Sequence, residues 1–174
     1  MRRPVDAARI REFFRALGAE AKDETRLYLT GGTTAVLVGW RAATVDLDIK
    51  IVPEHDSLFR AIPALKDRLE VNVELASPAD FIPELPGWRE RSRFIAREGK
   101  IDFFHYDFYA QALSKLQRGH AKDLEDVREM IERRLVEPGK AMELYDAIED
   151  KLYRFPSIDP ASFRRRAEAA FHRR

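Results

Sequence analysis

The chain has 174 residues, no cysteine, and 31 Lys+Arg against 30 Asp+Glu, a formal charge of +1. Disulfides and thiolate metal sites are therefore excluded, and the overall charge points to no polyanionic partner. The length suits a single domain with a real core. No apolar run reaches the ~20 residues that span a bilayer, so no membrane partner is expected. MRRPVDAARI lacks the apolar stretch of a secretory signal, which makes the cytoplasm the expected location.

Ile10, Phe13, Phe14 and Leu17 recur at helical spacing and predict a helix over 6–22. Leu27–Thr30 reads as a short strand ending in the Gly31-Gly32 turn, and 33–39 as a short buried helix. From Val45 to Val52 the pattern alternates, with Val45, Leu47, Ile49 and Ile51 on one side and Asp46, Asp48 and Lys50 on the other. That period of two predicts a strand with one wet face, stopped by Pro53. A helix follows over 54–70, kinked or divided by Pro63, then a strand at 71–75 and a helix start at Ser77–Asp80. Residues 92–96 and 100–106 predict two strands joined around Glu98-Gly99. Beyond Phe108 the pattern is helical, with a break at Gly119 and further helices over 122–135, 138–150 and 160–172. The order implies an α/β (α+β) fold with a small mixed sheet and a helical tail. We expect one domain, with a core of about 1–107 and a helical part of about 108–174.

The chemistry concentrates in LYLTGGTTAVLVGWRAATVDLDIKIV, residues 27–52. Glycines at a strand-to-helix turn let the backbone approach a ligand, and the amides opening a helix carry partial positive charge that suits phosphate. Asp46 and Asp48, two apart on a strand, share a face roughly 6.5–7 Å apart and can converge on a divalent ion. Either feature alone is commonplace, a plain turn or a solvated face. Their order and spacing, with Arg41 and Thr44 between them, is the specific signal. The four histidines lack metal-site spacing, and Trp40 and Trp88 read as packing anchors. The basic stretches Arg89–Arg97 and Phe163–Arg174 are either solvated faces or phosphate contacts.

Gly31-Gly32-Thr33-Thr34-Ala35, Gly39, Arg41, Thr44, Asp46 and Asp48 together resemble the signature of the DNA polymerase β-like nucleotidyltransferase superfamily. Tyr106-Asp107, Ala112–Arg118 and Lys122–Val127 resemble the helical segment of its bacterial AbiEii-like branch, which includes toxins of toxin–antitoxin pairs, and the chain is similar too to related stand-alone proteins of unassigned role. The resemblance covers about residues 25–135. It implies a nucleotidyltransferase fold and transfer of a nucleoside monophosphate from an NTP, with Mg²⁺ or Mn²⁺, to tRNA, a protein or a small molecule. It also implies a neutralising antitoxin partner if the chain is a toxin. By the resemblance, Gly31, Gly32 and Thr33 hold triphosphate, and Asp46 and Asp48 bind metal. A third carboxylate comes from a neighbouring strand; Glu74 is the first choice, with Asp80 and Asp102 in reserve. Lys115 and Arg118 are either phosphate contacts or a surface pair. Arg41 either reaches the site or fixes its loop.

Overall fold

The computed structural model of the chain describes residues 2–172. Its contacts divide the chain into two compact units, Met1–Ser77 with Ser92–His105, and Pro78–Arg91 with Tyr106–Arg174.

In the first unit, α1 (Ala7–Glu20) opens on Asp6, whose carboxylate accepts from the Arg9 amide and satisfies one orphan donor of the first turn. A five-stranded mixed sheet then forms from β1 (Thr25–Thr30), β2 (Asp46–Val52), β3 (Asn72–Leu75), β4 (Arg93–Glu98) and β5 (Ile101–His105), in the order β3-β2-β1-β5-β4. Strand β1 pairs antiparallel with β2 and parallel with β5; β2 and β3 are parallel, and β4 and β5 antiparallel. Helix α2 (Gly32–Val38) follows β1 at once, and α3 (Asp56–Leu69) connects β2 to β3. Pro63 lies inside α3, which is neither divided nor ended there. The β2 strand begins at Asp46 rather than Val45, which is 60% exposed.

Alternation sorts the sheet into two faces. Leu27, Leu29, Leu47, Ile49, Ile51, Val73, Ile101 and Phe103 pack with Phe13, Phe14, Leu17, Leu58, Ile62 and Leu65 in one core. Phe14 stacks on Phe103 with ring centroids 4.0 Å apart. The opposite face carries Asp46, Asp48, Asn72, Glu74, Tyr28 and Phe104, by strand register. Between Phe94 and Ala96 a register shift in β4 adds one residue, so Phe94 and Arg97 both pair with residues of that second face although three positions apart.

His105 ends β5 with its ring within 3.0 Å of the Thr34 hydroxyl. Burial, helped by Arg93 and Arg11, lowers its pKa to about 4. A lowered pKa favours the neutral ring in the fold. Its contribution is thus fully present above about pH 6.5 and is lost as pH falls towards 4. We expect wild-type stability to drop by at most about 3 kcal/mol more than that of His105→Asn across this window, read from urea unfolding at several pH values.

In the second unit, Ser77–Asp80 gives only a 3₁₀ turn at Pro78–Asp80, not the helix start expected from sequence. The short α4 (Trp88–Arg91) was not foreseen. Trp88 stacks on Tyr106, centroids 4.4 Å apart and planes 3° from parallel. Arg91 bonds the buried Asp107, which caps α5 (Phe108–Arg118) by accepting from the Tyr109 amide. Burial raises the Asp107 carboxyl above the usual range, opposed by the Arg91 hydrogen bonds. Gly119, at φ 71°, ends α5. Three further helices follow: α6 (Ala121–Glu132), α7 (Pro138–Ile148) with a 3₁₀ extension at Glu149–Arg154, and α8 (Pro160–Phe171). The basic C-terminal stretch is mostly engaged at home. Arg164 pairs with Glu149 and Glu168, and Arg166 donates to the Leu116 and Gln117 carbonyls closing α5. Arg173 and Arg174 lie outside the described residues. Among the described residues no helix is long and apolar enough to cross a membrane.

Candidate active site

Strand register assembles the site in the first unit. Thr30, the last residue of β1, pairs with Asp48 on β2, which brings this carboxylate beside the turn that follows β1. Gly31 stands there at φ 67° and ψ −138°, a backbone conformation that side chains rarely tolerate. A Cβ on Gly31 would lie 2.9 Å from Asp48 Oδ2, so the turn and the carboxylate touch because no side chain intervenes.

The second glycine is required by packing. A Cβ on Gly32 would stand 2.2 Å from the Thr44 hydroxyl oxygen and 3.3 Å from Arg41 Nη1. Thr44 and Thr33 both donate through their hydroxyls to the Asp46 carbonyl, at 3.2 and 3.5 Å. These bonds tie the loop before β2 and the first turn of α2 to the start of the acidic strand. Thr33 is fully buried, so its side chain braces the site. The Arg41 guanidinium lies against the turn itself.

Asp46 and Asp48 alternate with the buried Leu47 and Ile49 and therefore share the open face. Across the parallel β2–β3 pair, Glu74 is directly opposite Asp48 and Asn72 directly opposite Asp46. Paired residues point to the same face, roughly 5 Å apart. Glu74 is thus the carboxylate that register places beside Asp48. Asp102 is not so placed. It pairs with Arg26, four positions back along β1, which is about 13 Å along the strand. It bonds Arg97 there. Asp80 belongs to the second unit.

The sequence reading missed Asn72. Its amide donates to Asp46 Oδ1 at 2.5 Å and to Glu74 Oε1 at 3.4 Å, bridging two acidic side chains. The signal was available in the period of two running through Val71-Asn72-Val73-Glu74-Leu75. Among the described residues no three carboxylate or imidazole groups close on a single point as a finished metal cage. The donors on this face are nevertheless carboxylate oxygens, which suit Mg²⁺ or Mn²⁺. Such ions are ordinarily held by a few carboxylates, with water and substrate phosphate completing the shell.

Lys115 and Arg118 belong to the second unit and are paired within it. Lys115 is 5% exposed; its Nζ lies 2.9 Å from Asp126 and 3.6 Å from Asp123. Arg118 reaches Asp123 at 2.7 Å. Lys115 is therefore no surface residue.

The glycine turn gives a direct test of this geometry. Gly31→Ala is expected to cost about 1–3 kcal/mol and to push Asp48 out of place. Urea unfolding would read the stability loss, and nucleotide titration the displaced carboxylate.

No curated protein and no solved structure matches the chain. A family model described as "Nucleotidyltransferase of unknown function (DUF6036)" matches residues 8–160, from α1 to the start of α8. The match covers most of the chain and includes the strand, glycine turn, helix and two-aspartate strand of the site: the chain belongs to this nucleotidyltransferase family.

Proposed function

We propose that the chain is a metal-dependent nucleotidyltransferase that moves a nucleoside monophosphate from an NTP to a hydroxyl or phosphate acceptor. One observation carries the reading: Asp48, flanked on its sheet face by Asp46 and Glu74, lies against the side-chain-free Gly31 turn. Polyphosphate needs close backbone approach and charge neutralisation at the same place; the Gly31 turn offers the first, and the carboxylates would offer the second by holding Mg²⁺ or Mn²⁺.

In this scheme the α2 amides and Arg41 hold the triphosphate, while Asp46 and Asp48 are the metal ligands. Mg²⁺ or Mn²⁺, when bound, neutralises phosphate charge and acidifies the acceptor hydroxyl. Glu74 accepts the hydroxyl proton. The acceptor oxygen bonds to the α-phosphorus as the bond to the β-phosphate bridging oxygen breaks, and pyrophosphate leaves with that electron pair. Positioning and electrostatics supply the catalysis, with no covalent enzyme intermediate. A phosphate role for Lys115 and Arg118 would require them to leave Asp126 and Asp123, and the reading stands without them. The AbiEii-like resemblance adds tRNA, a protein or a small molecule as acceptor, and a cytoplasmic toxin role with an antitoxin partner.

The second reading is a nucleotide-binding or interaction module without turnover. The Asn72 amide favours it, because it occupies Asp46 Oδ1, an oxygen the scheme gives to the metal, and also reaches the proposed base Glu74. Incubation with α-labelled NTPs, Mg²⁺ or Mn²⁺, and total RNA or lysate separates the two. Transfer of label to any acceptor supports the enzyme. Metal-dependent nucleotide binding without transfer establishes the module, and absence of both rejects each.

A further inference from the structure

The same sheet face continues beyond the carboxylates. Two residue pairs along from the Thr30–Asp48 pair, Lys50 pairs with Tyr28, Tyr28 with Phe104, and Phe104 with Phe94. The aromatic rings form a row. Tyr28 and Phe104 stack at 5.4 Å, and Phe94 meets Phe104 edge-on at 5.8 Å. Tyr28 is buried, and Phe104 is half-buried. Phe94, at the edge of the sheet, is 60% exposed.

Cross-strand packing explains Tyr28 and Phe104. It does not explain a phenylalanine left mostly in water, on the same face as the acidic group and roughly 15 Å across the strands from Asp48. Cations accompany this row. The Arg26 guanidinium lies 5.6 Å from the Phe104 ring centre, and Lys50 stands between the aromatic row and Asp48 on β2. Neither Arg26 nor Lys50 has a carboxylate partner among the described residues, whereas Arg97 is taken by Glu24 and Asp102. An exposed aromatic ring with cations beside it on a sheet surface suits an unpaired nucleobase followed by its phosphates.

We infer that Phe94 is a stacking platform, with Arg26 and Lys50 as phosphate contacts, for a single-stranded polynucleotide presented to the carboxylate face as acceptor. This deepens the nucleotidyltransferase reading and rests on it for the word acceptor; strand binding itself is independent of that reading.

The test is fluorescence anisotropy of the whole protein with a short unstructured 5′-labelled RNA, the DNA of the same sequence, and a blunt duplex. It is run in EDTA without NTP. Wild type should bind one or both single strands more tightly than the duplex, and the RNA and DNA arms identify the source. Phe94→Ala should weaken binding about fivefold or more, and Phe94→Trp should restore it to near wild type. Arg26→Ala should weaken it and flatten its salt dependence. The absence of strand binding, or an unchanged affinity in Phe94→Ala, overturns the inference. So does a shift from dimer to monomer in Phe94→Ala by light scattering, which would give the ring to a contact between copies of this chain. A separate Mn²⁺–NTP titration of the same preparation reads the triphosphate site, so its failure is distinguished from failure here.

Discussion

Replacing Asp48 by asparagine is expected to reduce nucleotidyl transfer on the order of a thousandfold while leaving the fold intact. Asn keeps the volume and one carbonyl oxygen, so the contact with Gly31 survives and only the charge is lost. The loss falls on the step that needs charge most, because a triphosphate without its neutralising partner is poorly held and poorly activated. Asp46→Asn should behave similarly. Its carbonyl still anchors Thr33 and Thr44, so the local backbone does not move. Without metal, either variant should melt at the same temperature as wild type or slightly higher, because one of three neighbouring carboxylates is gone. Label transfer measures the first effect and thermal unfolding the second. Full activity in Asp48→Asn would end the proposed mechanism.

Lys115→Met is expected to be strongly destabilising to the second unit, costing about 3–5 kcal/mol. The ammonium is buried with Asp126, which is 1% exposed, and with Asp123, one of whose oxygens has no hydrogen-bond partner. Removing the cation strands carboxylate charge in a poorly solvated place. For a chain of this length that corresponds to a fall in melting temperature of roughly 10 °C. Adding Asp126→Leu to Lys115→Met should recover much of the loss, since replacing both partners removes the stranded charge. Near-wild-type stability in the single variant would show that the pair is already neutralised from elsewhere.

The same lysine shows how far the sequence could be read. Three-residue spacing placed Lys115 and Arg118 on one stripe of a helix, and α5 has that phase. What spacing could not supply was the partner, because Asp123 and Asp126 come from the next helix and meet α5 only after the turn at Gly119. The acidic site was legible for the opposite reason. Alternation in β2 needs only neighbours along the strand, so Asp46 and Asp48 were placed on one face before any pairing was known. Choosing among Glu74, Asp80 and Asp102 needed register, which long-range pairing fixes and local pattern does not. Asn72 shares the period of two with Glu74, but its amide gains its role as a bridge to Asp46 only when the opposite strand is known.

The two units are interleaved along the chain, and that limits how the protein can be dissected. Pro78–Arg91 lies in sequence between β3 and β4 of the sheet but belongs with the helices, held by Trp88 on Tyr106 and by Arg91 on Asp107. A fragment beginning at Tyr106 would lose both attachments at once, leaving an aromatic ring uncovered and a buried acid without its guanidinium. A fragment ending at His105 would carry that segment, orphaned, between the two edge strands of its sheet. No single cleavage yields either unit whole, so truncation should give insoluble halves where point substitution gives folded variants.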